Sequence, residues 1–207
     1  MAYRFLIFAL LLLCFALPQA NAETVTGKIH RLQGHVWVNG IEADRQTPIH
    51  FGDRILTGVN SRVILSLDQN VYSIHSRSAL KLPEQSKNFT LKVLYGAFLA
   101  AFRHDTHKTI ETQTAVLGVR GTGLYIDTEQ PQPYLCLCYG DVDHQGTHIH
   151  ADYHKAVTIN RQSGALTGSS MLGHTDDELR ELEALVGRTP PASFLKENGA
   201  NNSVNSM

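Results

Sequence analysis

Gly34-His35-Val36-Trp37-Val38-Asn39-Gly40 reads as a short strand running into a tight reversal. His35 to Val38 alternate in character, and Asn-Gly supplies the two positive-φ positions of a two-residue hairpin turn. The pattern continues outward in both directions. Residues 24–29, 62–67, 71–75, 90–95, 124–127, 134–139 and 156–160 form further β-prone runs. Turn residues separate most of them, at Gly52-Asp53, Gly58, Asp68, Pro83, Gly121, Pro131, Pro133 and Gly140. Strands at roughly 8–12-residue spacing with few helical signals predict an all-β fold, either a β-sandwich, a barrel or a short β-solenoid. Residues 91–102 are ambiguous, because Ala97-Phe98-Leu99-Ala100-Ala101-Phe102 is also compatible with a helical turn. A strand kinked at Gly96 is the preferred reading.

One helix is expected, over about residues 175–186. Thr175-Asp176-Asp177-Glu178 is a capping box, with Thr as N-cap and Glu at N3. Leu179, Leu182, Leu185 and Val186 form one apolar stripe, Gly187 closes the helix, and Pro190-Pro191 stops it. A helix this short is marginal alone, so its leucines should dock on the β core. The Asn/Ser-rich tail, residues 192–207, has little to bury and is expected to be disordered.

The first 22 residues read as a signal peptide. Arg4 is a short positive region, residues 5–17 are an apolar run, and Ala20-Asn21-Ala22 gives the small-x-small cleavage pattern. A run of about 13 residues spans ~20 Å, short of the ~30 Å hydrocarbon core. Leu13 before Cys14 does not fit a lipid-attachment site. The mature chain is expected in the periplasm, soluble and without a membrane span. It then keeps two cysteines, Cys136 and Cys138, in an oxidising compartment.

Composition narrows the function classes. Lys+Arg is 18 against 19 Asp+Glu, so no basic field draws the chain to nucleic acid. Hydrophobic residues at 43% exclude a disordered chain. Of 207 residues, 11 are His and only one is Trp.

Several segments, read in order, resemble the FecR domain, the periplasmic module of ferric-citrate-type regulators. They are residues 34–40, Phe51-Gly52-Asp53-Arg54-Ile55-Leu56-Thr57-Gly58, and Asn60-Ser61-Arg62-Val63 with Leu65 and Leu67. The series continues with Thr114 followed by Val119-Arg120-Gly121-Thr122-Gly123, and closes with Tyr139-Gly140-Asp141-Val142. The resemblance places a FecR-like β domain at residues 23–145, with residues 146–191 as a C-terminal extension carrying the helix. It implies a binding or signalling module that recognises an envelope protein or ligand, and it offers no catalytic residues. Those regulators carry a cytoplasmic anti-sigma segment and a membrane span before the domain. Here only four residues precede the apolar run, so no contact with a cytoplasmic sigma factor is expected. Within the motif, Arg120 sits in a mostly apolar segment. It is expected to be partly buried and to hold loop carbonyls or a carboxylate such as Asp127 or Asp53.

The chain has no G-x-S-x-G elbow, H-E-x-x-H, P-loop or G-x-G-x-x-G motif, so an enzyme is not expected. The unusual feature is Cys136-x-Cys138 followed by His144, His148, His150 and His154. On a strand both thiols share a face. Two thiolates with imidazoles make a sensible zinc set, and soft thiolates also suit copper(I). Two other readings stay open. The cysteines can be unligated core residues, or a strained disulfide that requires a bulge, since same-face strand neighbours sit ~6.5 Å apart.

Overall fold

The computed structural model describes residues 26–104 and 107–195. The expected signal peptide, residues 1–22, and the tail beyond residue 195 lie outside the described residues. Half of the chain is strand, in one large curled sheet, with a helix at the C-terminal end. The strands are β1 Gly27–Gln33, β2 Val36–Val38, β3 Ile41–Glu42, β4 Pro48–Ile49, β5 Arg54–Thr57, β6 Arg62–Leu67, β7 Asn70–Ile74 and β8 Ala79–Lys81. They continue with β9 Thr90–Tyr95, β10 Ala97–Ala101, β11 Lys108–Glu111, β12 Val116–Asp127, β13 Tyr134–His144, β14 Thr147–Ala151, β15 Lys155–Ile159 and β16 Leu166–Ser169. The helix α1 is Asp176–Leu185.

Local signals fixed much of this. Asn39 and Gly40 turn with φ of +52° and +84°, as the hairpin reading requires. Twelve strands follow the path β3-β2-β5-β8-β9-β11-β12-β10-β7-β6-β1-β4, antiparallel except where β11 runs parallel to β9. The long strand β13 pairs with β12 along one edge. Its other edge carries β15 and then β14, and β16 follows β15. The sheet therefore runs without a break across residue 145, which lies in the Gln145-Gly146 turn between β13 and β14.

The ambiguous stretch resolves as two strands joined at Gly96, whose φ is +92°. A Cβ there would lie 2.5 Å from Cα of Ser78, so only glycine fits. The physical reason for the ambiguity is visible in β10. Phe98 and Ala100 face the inside of the curl, while Leu99 and Ala101 face a second apolar cluster on the outside. A strand buried on both faces loses the polar alternation that marks strands.

That outer cluster is where α1 docks. The capping box forms as expected: the Thr175 hydroxyl accepts from the Glu178 amide, and a Glu178 carboxylate oxygen accepts from the Thr175 amide. Leu179 and Leu182 are buried against Val71, Leu99, Ala101 and the two cysteines. Truncating Leu182, 1% exposed, is expected to cost about 2–5 kcal/mol in urea unfolding. A loss below about 0.5 kcal/mol would mean that α1 does not pack there. The expectation for residues 192–207 is corrected at its start. Residues 192–195 form a helical turn, because Phe194 buries fully in the same cluster against Tyr139 and Tyr153.

Candidate metal centre

The strand β13 carries Cys136 and Cys138 into the outer cluster, both fully buried. The register of β13 on β12 slips between Leu124↔Leu137 and Gly123↔Tyr139, which makes Cys138 the extra residue of a bulge. On the other edge, β15 stops at Leu137↔Lys155 and β14 starts at Gly140↔Ala151. The chain between them loops over the bulge, held by a 3.0 Å hydrogen bond from the His154 amide to the Cys138 carbonyl. This lays the His154 imidazole over the sulfurs. The fourth group arrives from the connection into α1. Gly173, with φ +82°, lies so close to Tyr125 that a Cβ would meet its ring, and the next residue, His174, turns into the cluster.

The result is a compact donor set. One ligand atom from each of Cys136, Cys138, His154 and His174 lies within 4.8 Å of all the others. The Cys136 Sγ is 3.4 Å from His154 Nδ1, and the Cys138 Sγ is 3.3 Å from His174 Nε2. The outward nitrogens are occupied. His154 Nε2 lies 2.6 Å from the Asp176 carboxylate, and His174 Nδ1 lies 3.1 Å from the Leu172 carbonyl. Each acceptor calls for the ring proton on that nitrogen, which frees Nδ1 of His154 and Nε2 of His174 toward the sulfurs. The Tyr153 hydroxyl donates to the second Asp176 oxygen at 3.0 Å, and Tyr125 stacks on His174 at 5.0 Å.

The thiols are unequal. A hydrogen bond from Cys138 holds the Cys136 thiol down at about 3 against the opposing effect of burial, with help from His154 and His174. Burial pushes the Cys138 thiol well up. Burial opposes charge on His154, but its contacts with Cys136 and Asp176 move its pKa upward. A buried cysteine, imidazole and carboxylate in line also describe an activated cysteine nucleophile. Cys136 is 0% exposed beneath α1. The four side chains together are a set that could hold a metal ion.

Only part of the sequence-level donor set gathers here. Cys136, Cys138 and His154 converge, with both cysteines as free thiols. The bulge brings the sulfurs together, but each faces its own imidazole. His144 turns to the opposite side of β13, buried between the carbonyls of Val116 and Gly164. His148 and His150 lie exposed on the β13–β14 hairpin, paired with Asp143 and Asp141. The i, i+2 spacing put His148 and His150 on one face, but that face is the solvent side. His174, 36 residues beyond Cys138, had no spacing signal. Its one available clue was its place directly before the capping box of a helix that had to dock.

The family-motif residues lie elsewhere. Val119 and Thr122 are buried, and the Thr122 hydroxyl lies within reach of the Arg120 and Asp141 carbonyls. Arg120 is exposed and contacts His107, which corrects the expectation of a partly buried arginine on Asp127 or Asp53. A bulge between Arg120 and Gly123, with Gly121 at φ +57°, turns it outward. Asp53 instead accepts from Asn39 and the His50 amide, and Asp127 from Gln130 and the Glu129 amide.

His75 borders the centre, 5.4 Å from the Tyr125 ring, and its Nε2 is buried without a hydrogen-bond partner among the described residues. Burial, then Arg62, pushes its pKa down to about 4. An NMR titration is expected to find this ring neutral until pH falls near 4. The unfolded chain takes up that proton below about pH 6.5, so His75 removes stability as pH falls from 6.5 toward 4, by at most about 3 kcal/mol. An ordinary midpoint near 6.5 would contradict this.

Residues 53–143 match the FecR protein family model, so the resemblance holds over that stretch. A comparison with curated proteins finds no match. Among solved structures, two crystal structures of a candidate anti-sigma factor from Parabacteroides distasonis are similar at 13% identity and a TM-score of 0.49. The match covers 56% of this chain and 59% of theirs. No helix among the described residues is long and apolar enough to cross a membrane.

Proposed function

We propose that this chain is an exported, non-enzymatic signalling module of FecR type that responds to a soft transition-metal ion, zinc(II) or copper(I). The observation that carries the metal reading is the buried donor set itself. Cys136, Cys138, His154 and His174 converge within 4.8 Å, and both imidazoles have their outward nitrogens held. Structural zinc sites use such a set, with all four positions filled by protein and none left for a substrate. The FecR match supports the signalling half, and Arg4 with the apolar run and Ala20-Asn21-Ala22 supports export to the periplasm. The output partner is then an envelope protein, met outside the cytoplasm.

The test is direct. Untagged protein from the periplasmic fraction is expected to begin at Glu23 and to bind about one zinc or copper per chain. Cys136→Ser is expected to lose the ion. Protein that refuses both metals while keeping two free thiols would reduce the cysteines to core packing and leave a plain interaction module. Met1 retained in a membrane fraction would end the export reading.

A further inference from the structure

We infer that the ion is four-coordinate zinc(II) and that it latches the N-terminal end of helix α1 onto the sheet. This rests on the metal reading above and concerns what the ion does.

The donor distances fit zinc. Bonds of ~2.3 Å to sulfur and ~2.0–2.1 Å to nitrogen at tetrahedral angles give S···N edges of about 3.5–3.6 Å. Two S···N separations here are 3.4 and 3.3 Å. Those two edges match the tetrahedral values to within a few tenths of an ångström, and every other donor pair lies within 4.8 Å. Two thiolates with two imidazoles in a tetrahedron favour zinc among divalent ions, and thiolate-only sets favour copper(I) more strongly.

The latch follows from where the donors sit. Cys136 and Cys138 belong to the sheet, and His154 to the loop beside them. His174 stands one residue before the N-cap Thr175, and Asp176, the first residue of α1, holds the His154 ring. One ion thus ties the sheet to the residues on both sides of the helix N-cap. The far end of α1 has a separate anchor. Glu183, 2% exposed, takes the Tyr139 hydroxyl and the Arg188 guanidinium at 2.6 Å, and Arg188 also donates to the Gln69 and Ala101 carbonyls. The other ties at the N-terminal half are the Tyr153–Asp176 hydrogen bond, the Tyr134 hydroxyl bonded to Ser170 and Leu172, the buried Leu179, and two partly exposed ion pairs, Glu178–Arg62 and Glu181–Arg31, of the kind that contribute little. Without the ion, α1 keeps its C-terminal anchor and loosens at the other end. Residues 170–180 then move away from Val71, Leu99 and Tyr125 on the outer sheet face.

Hydrogen exchange by mass spectrometry on the untagged, full-length exported protein, zinc-loaded and chelated, tests this. Zinc is expected to slow exchange at least tenfold in peptides covering 170–180, with a smaller change in 183–194 and none in β6 and β7. His174→Ala keeps three donors. In that variant zinc, bound more weakly, is expected to protect 152–155 but no longer 170–180. A chain that binds no zinc, by metal analysis of the same sample, fails the metal reading itself. A chain that binds zinc with equal protection throughout the sheet, or none at 170–180, keeps the site and overturns the latch. Zinc-dependent protection of 170–180 that survives in His174→Ala overturns it as well.

Discussion

Chelating the zinc-loaded protein at neutral pH is expected to lower its melting temperature by about 8–16 °C. An ion that binds the folded chain and not the unfolded one adds RT ln(1 + [L]/Kd), which is about 4.1 kcal/mol when free zinc stands a thousandfold above Kd. In a chain of about 200 residues each kcal/mol moves the midpoint by roughly 2–4 °C. The preference for the folded state comes from the topology. Cys138 and His174 are 36 residues apart and meet only when α1 is docked. Cys136→Ser should lower the midpoint and remove the chelator effect together. A shift under about 2 °C in protein shown to carry one zinc per chain would mean that the donors gather equally well without the fold.

Arg188→Ala is expected to cost about 3–5 kcal/mol, the loss associated with removing one partner of a buried ion pair. Its guanidinium lies against the Glu183 carboxylate, whose side chain is 3% exposed, and satisfies two backbone carbonyls besides. Removing it strands a carboxylate in the outer cluster with, among the described residues, only the Tyr139 hydroxyl as donor. The control is the double variant Arg188→Ala with Glu183→Gln. Neutralising the stranded charge should recover a large part of the loss, as two partners of one network do not add independently. If the single variant costs under 1 kcal/mol in urea unfolding, or the double variant is simply additive, the C-terminal anchor of α1 is not this pair. The same result would weaken the inference that α1 pivots about that end.

Reading the chain residue by residue recovered the elements whose cause is local. Asn39-Gly40 specifies its turn through backbone torsions, and Thr175 with Glu178 specifies the helix start through two hydrogen bonds three residues apart. Gly96 breaks the apolar run where its own φ demands it. The cysteine pair was legible as a same-face pair for a related reason, since alternation along a strand is a property of the strand itself.

What the sequence alone determined, then, is the β character of the chain, the position of helix α1, the FecR-like motif series and three of the four side chains that converge. The tertiary structure decided the rest. It chose His174 over His144, His148 and His150, because donors meet according to which face of the sheet a helix covers. It turned Arg120 into solvent through a bulge that depends on the pairing of β12 with β13. It drew Cys136 and Cys138 together through a second bulge and set each against its own imidazole. Register, bulges and docking are settled between segments far apart in the chain. The energies that fix them are sums over packed neighbours that no short stretch of sequence contains.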